Sequence, residues 1–189
     1  RAQALRTLLE AGVLCNDAQL RETSAAEPRW TAIGDPTEIA LLTAAIKGGI
    51  APSTLRATWP RLAEIPFDPA AKLMATQHLG PSGSRIILKG APEPLLELCR
   101  SVRRNGQESA LDDQARLHLH DTAERMAARA LRVLAIGVVE GAELDDSAGF
   151  AALRGQVTLL GLLGQIDPPR AEVKDAVERC RAAGIRPVM

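Results

Sequence analysis

An α+β fold, an antiparallel β-sheet flanked by helices, is predicted by three features of the sequence. Short apolar runs rich in β-formers recur at 62–67, 85–89, 132–139 and 156–166. Apolar residues at helical spacing mark 1–14, 36–47 and 111–130. The two kinds of segment do not alternate as βαβ units would, and Pro81-Ser82-Gly83 reads as a hairpin turn, which favours antiparallel pairing.

Each element has a local reason. Leu5, Leu8, Leu9 and Val13 stripe a helix over residues 1 to 14, broken at Cys15-Asn16-Asp17. Residues 21–33, polar and holding Pro28, read as a loop. Asp35-Pro36-Thr37-Glu38 opens a second helix: Asp35 as N-cap, Pro36 at N1, and Glu38 at N3 completing a capping box. Ile39, Leu42 and Ile46 stripe it, and Gly48-Gly49 ends it. A loop over 50–60 holds Trp59, then Leu62–Phe67 and Lys72–Leu79 read as strands and Arg85–Lys89 as the returning one. Pro92–Cys99 is a short helix and Arg103–Gln107 an exposed turn.

Leu111, Ala115, Leu119, Ala123, Met126 and Ala130 predict the longest helix, over about 111–130. His118 and His120 lie two apart within it, on opposite faces, so they cannot share a metal and read as structural or surface residues. Strands at 132–139 and 156–166 flank the acidic loop Glu143-Leu144-Asp145-Asp146, which reads as a solvated turn. Asp167-Pro168-Pro169-Arg170 is a rigid, extended linker. Val173, Val177 and Cys180 stripe a last helix closed by Gly184, and 185–189 begins a strand.

The bulk numbers narrow the function classes. A chain of 189 residues, 46% hydrophobic and 24% charged, can bury a substantial core. Zero net charge gives no nucleic-acid or membrane-surface footprint. No apolar run approaches the ~20 residues that span a bilayer, so the chain reads as a soluble piece. Cys15, Cys99 and Cys180 are widely spaced, without the clustering of a zinc site or disulfide framework, and fit a reducing compartment.

The stretch Ile86-Ile87-Leu88-Lys89-Gly90-Ala91-Pro92-Glu93 organises the rest. A buried strand ends in Lys89, and Pro92 starts a helix, so the ammonium sits at the helix's positive end, where anions are favoured. An ordinary strand-to-helix junction explains the same residues. With no GxxxxGK[ST] or GxGxxG present, any nucleotide is held mainly by its base. Phe67, at a strand end between prolines, is the platform for stacking. Lys72 and Lys89 are two of only four lysines and supply positive charge beside it.

Together with Gly34-Asp35-Pro36-Thr37-Glu38, the run from Ile65 to Thr76, Arg132-Val133-Leu134-Ala135 and Asp167-Pro168-Pro169-Arg170, that stretch resembles the nucleotide-binding domain of cation-transporting P-type ATPases, in their type II, calcium-pump-like branch. The resemblance implies that ATP binds, with Mg²⁺ carried by the nucleotide, and that adenine stacks on Phe67 and faces Glu38. It places Thr37, Lys72, Lys89, Gly90, Ala91, Arg132 and Leu134 around the nucleotide. Gly90 admits the adenine to the backbone, and Arg132 reaches the phosphates. It assigns this chain neither a catalytic residue nor a metal ligand. Ala71 stands where the family commonly has a basic residue, which implies weaker phosphate binding.

The phosphorylated-aspartate loop and the later magnesium segment of that family do not occur here. Residues 1–165 are therefore expected to be the ATP-binding domain, and 166–189 a hinge and the beginning of the phosphorylation domain. The implied partners are ATP and the phosphorylation and actuator domains of the same polypeptide. A membrane is involved only through helices outside this stretch, on whose cytoplasmic side the monomeric domain lies. The fragment is expected to bind ATP and hydrolyse none. The alternative from another class is a non-catalytic α+β interaction or regulatory module that docks a partner through an apolar helix face.

Overall fold

Ile86, Ile87 and Leu88 are 0%, 1% and 0% exposed, so both faces of the strand they form are covered. The structure, a computed structural model, describes residues 2–22, 30–167 and 170–188. In chain order its elements are α1 (Ala2–Leu14), β1 (Gln19–Glu22), β2 (Trp30–Ile33), α2 (Pro36–Lys47), α3 (Pro52–Thr58), β3 (Arg61–Asp68), β4 (Leu73–Gly80) and β5 (Gly83–Gly90). There follow α4 (Pro92–Leu98), β6 (Cys99–Arg104), β7 (Gln107–Ala110), α5 (Asp113–Ala127), β8 (Arg132–Glu140), a 3-10 turn at Phe150–Leu153, β9 (Val157–Gln165) and α6 (Ala171–Ala182).

Seven strands form the main sheet in the order β3-β4-β5-β8-β9-β6-β7. Neighbours are antiparallel except β6 and β9, which run parallel, so the α+β expectation holds with a mixed sheet. Alternation sorts the side chains between two layers. Met74, Ile87, Ile136 and Val138 pack under Leu8, Ala11 and Leu14 of α1. Leu73, Ala75, Ile86, Leu88 and Ala135 face the opposite way, with Leu95 and Leu98 of α4. Each fully buried Leu or Ile contributes about 1.5–3 kcal/mol. On the outside of α1, Leu9 and Val13 meet Leu42 and Ala45 of α2. The edge strand β3 pairs with β4 alone, with register shifts at Arg61/Ala63 and Ile65/Asp68 around Pro66.

Five local expectations are corrected. Within 21–33, residues 19–22 and 30–33 pair as a separate two-stranded ribbon, while 23–29 lie outside the described residues. The loop over 50–60 contains α3, whose Pro52 occupies the first turn, where a missing N–H costs nothing. The turn at Arg103–Gln107 is the tip of a hairpin: Asn105 and Gly106 both have positive φ, as a two-residue loop of this hand requires, and β6 and β7 flank it. Lys72 precedes β4 rather than belonging to it. Residues 185–188 form no strand. Of the predicted linker, Pro168 and Pro169 lie outside the described residues.

Candidate functional site

A cavity of about 460 Å³ opens at the end of the sheet where β5 and β8 meet the start of α2. The first turn of α2 supplies two of its walls. Asp35 caps the helix, its Oδ1 accepting from Thr37 N at 2.7 Å; the Thr37 side chain, joined by the amides of Thr37 and Glu38 and the charge of Arg132, holds the carboxyl below the usual carboxylate range. Glu38 does not close the expected capping box. Its Oε2 accepts from the amides of Asp17 and Ala18 at 3.0 and 3.1 Å, and its Oε1 from Lys89 Nζ at 2.5 Å. Donors brought in by the fold thus outcompete the backbone amide three residues away.

Lys89 and Glu38 form a deeply buried ion pair, with side chains 7% and 14% exposed. Desolvating two charges is tolerable only with good geometry and further hydrogen bonds; the two amides supply those bonds to Glu38. The hairpin register puts Met74 opposite Lys89, and Met74 floors the cavity. Phe67 stands on the wall formed by β3, with 57% of its surface exposed. A large ring left open at a cavity rim presents a face for a planar ligand. Arg132 donates to Thr37 Oγ1 at 2.8 Å, and Leu134 lies beside it on the wall.

Of the nine sequence-predicted positions, Thr37, Glu38, Phe67, Lys89, Gly90, Arg132 and Leu134 line this cavity, while Lys72 and Ala91 do not. Lys72 is exposed and left-handed, at φ 55°; its N–H donates to Asp68 O and its carbonyl accepts from Ala91 N. The close backbone approach at Gly90 is made by this same carbonyl: a Cβ there would lie 2.1 Å from Lys72 O. Gly90 is therefore required by the chain's own hairpin.

Sequence reasoning assigned no site role to Asp17, Gly34, Asp35 and Met74, which also line the cavity. Met74 was available, since a two-residue turn at Pro81-Ser82 fixes it opposite Lys89. Gly34 and Asp35 lie in the run Gly34–Glu38 but read only as the approach to a helix, and Asp17 had no local signal, because it arrives through packing of the segment after α1 against the start of α2. A larger cavity of about 620 Å³, between α2, α3 and the ribbon, contains none of the predicted residues. Among the described residues, no group of three or more His, Cys, Asp or Glu could hold a metal, and no helix is long and apolar enough to cross a membrane.

Residues 4–172 match the family described as "P-type ATPase, cytoplasmic domain N". The chain is 39% identical over 182 residues to the probable cation-transporting ATPase F of Mycobacterium tuberculosis, covering 96% of this chain and 20% of that protein. It is 36% identical over 184 residues to calcium-transporting ATPase 1 of Bacillus cereus, covering 97% and 20%. To the cation-transporting ATPase pma1 of Synechocystis it is 38% identical over 182 residues, covering 96% and 19%. The chain thus spans about a fifth of the length of these relatives.

Proposed function

The chain belongs to the family of P-type ATPase cytoplasmic N domains, and from that membership we propose that it holds ATP by its adenine for a cation-transporting pump. The observation that carries this reading is one cavity bounded by the open ring of Phe67 and the buried Glu38–Lys89 pair. Adenine stacks on Phe67, an interaction worth about 1–3 kcal/mol. A carboxylate has about four acceptor sites. Asp17, Ala18 and Lys89 occupy three of them, leaving Glu38 Oε1 one site for an exocyclic amino group.

Thr37 and Arg132, also on the wall shared with Leu134, lie on the phosphate side, with Gly90 beside the base. Lys72 reaches the nucleotide only from outside the cavity, and Ala91 contributes through the hydrogen bond its N–H donates to Lys72 O rather than as a wall. Mg²⁺ arrives on the phosphates of the nucleotide. Residues 1–165 make up this domain, and 166–189 lead into a phosphorylation domain that carries the acceptor aspartate. What the nucleotide supplies, when bound, is its γ-phosphoryl group for in-line transfer to that residue. The relatives' names, cation- and calcium-transporting, support a cation as the cargo, with the domain on the cytoplasmic side of the membrane.

One stack and a few charged contacts, offset by association costs, give about 4 kcal/mol, or about millimolar affinity. Titration with ATP should move the backbone amide resonances around Phe67, Lys89 and Arg132, with no phosphate released. Unmoved resonances at those three positions, at nucleotide well above the expected affinity, would overturn the reading.

A further inference from the structure

The geometry points to Arg56 and Arg61 as positioning residues for the base end of the cavity, acting on Glu38 through a single peptide unit, Asn16–Asp17. The proposal rests on the nucleotide reading above and adds two residues that do not line that cavity.

Arg56, in α3, spends its guanidinium on main-chain carbonyls. It donates to Val13 O from Nε and Nη2 at 3.4 Å, to Asn16 O at 2.9 Å and to Ala18 O at 3.2 Å. Arg61, in β3, donates from Nη2 to Leu14 O at 3.3 Å and Asn16 O at 3.0 Å, and from Nη1 to the Asp17 carboxylate at 2.7 Å. Val13 and Leu14 belong to the last turn of α1, whose carbonyls favour a cation. Asn16 O therefore receives both guanidiniums, while the N–H of the same peptide unit, on Asp17, donates to Glu38 Oε2 at 3.0 Å. Cation, peptide dipole and carboxylate line up, and each bond polarises the next.

Asn16 locks the turn further. Its side chain is 1% exposed, donates to Gly12 O and Glu38 O, and accepts from Ala18 N. The turn is thus fixed on one side by two guanidiniums and on the other by Glu38, which in turn holds Lys89. A fork that reaches several carbonyls at once is a property of arginine that lysine lacks. Loss of either guanidinium lets the Asn16–Asp17 peptide rotate, loosens Glu38 and misplaces the acceptor for the base.

The test uses Arg56→Met and Arg61→Met in the 189-residue chain. The expected result has the Asp17 and Ala18 amide protons moving upfield and exchanging faster. ATP and adenosine should bind about fivefold more weakly, while inorganic tripolyphosphate binds as before. General loosening of the domain would weaken all three ligands and overturn the proposal, as would unmoved Asp17 and Ala18 resonances in the folded variants. Arg56→Lys and Arg61→Lys keep the charge without the fork and carry the same test if the methionine variants do not fold. If the parent chain binds no ATP, the nucleotide reading fails, and the two amide resonances still decide the relay.

Discussion

Arg132 Nη1 donates to the Thr37 hydroxyl at 2.8 Å, across 95 residues of sequence. With Gln165 Nε2, which donates to Thr37 O at 3.0 Å, it ties the first turn of α2 to the ends of β8 and β9. The Arg132 guanidinium is thereby held at the mouth of the cavity through a neutral hydrogen-bond partner, near enough to the Asp35 carboxylate to act on its ionisation.

Arg132→Met should therefore separate two ligands. ATP affinity should fall about tenfold, the size of a lost charge-assisted hydrogen bond, while adenosine affinity stays within about twofold. Isothermal titration of both ligands measures the split, and an equal loss for the two would place Arg132 outside the phosphate path.

The Glu38–Lys89 pair predicts unequal costs for its two halves. Glu38→Ala strands a buried ammonium with no partner and leaves the Asp17 amide unpaired, the Ala18 amide keeping its bond to Asn16 Oδ1, so it should cost about 3–5 kcal/mol. Lys89→Met leaves a carboxylate that still has the Asp17 and Ala18 amides, and should cost roughly half as much. The double variant Glu38→Gln, Lys89→Met should recover part of the loss. Urea denaturation midpoints give all three values; equal costs for the single variants would mean that the amides do not support the carboxylate.

Gly90→Ala tests the hairpin rather than the ligand. Its methyl would lie 2.1 Å from Lys72 O and 2.8 Å from Leu73 Cδ2. The turn must open, and with it the bond from Ala91 N to Lys72 O. The expected loss is about 2–3 kcal/mol, read as a lower melting temperature before any nucleotide is added.

His78 predicts a pH dependence. Burial pushes its imidazole below the ordinary value of 6.5; the bond with the Trp59 carbonyl opposes this, and the charges of Arg61, Arg85 and Arg56 add to it. Nδ1 carries the proton, because Trp59 O can only accept, and Nε2 then accepts from Thr76 Oγ1 at 2.9 Å. With the folded value depressed, the unfolded chain takes up the proton first, so this contribution to stability is full above about pH 6.5 and is lost as pH falls below it. Comparing wild type with His78→Gln by urea denaturation at about pH 7.5 and about pH 5 isolates the effect from the carboxylates. The wild type should lose more stability than the variant on acidification; parallel losses would rule His78 out.

What was legible in the sequence was local. The Pro81-Ser82 turn fixed the β4–β5 hairpin and so the place of Lys89; Asp35-Pro36 fixed the start of α2; and the i+4 ladder from Leu111 gave α5. What escaped depended on partners distant in the chain. β6 carries three arginines in six residues and is a strand because β9 lies parallel to it, which no spacing reveals. Lys72 is left-handed without being glycine, so no residue type announced the turn. Glu38 looked like a cap because its nearest donors are local, and only the fold shows better ones at Asp17 and Ala18.

The irregular course of β3 bears on how the molecule behaves at high concentration. An outermost strand with unpaired N–H and C=O groups invites a second copy to add on, but Pro66 removes a donor and the two register shifts twist the remaining ones out of line. The exposed ring of Phe67 thus stands on the rim of the sheet beside an edge that offers a second copy few aligned donors and acceptors.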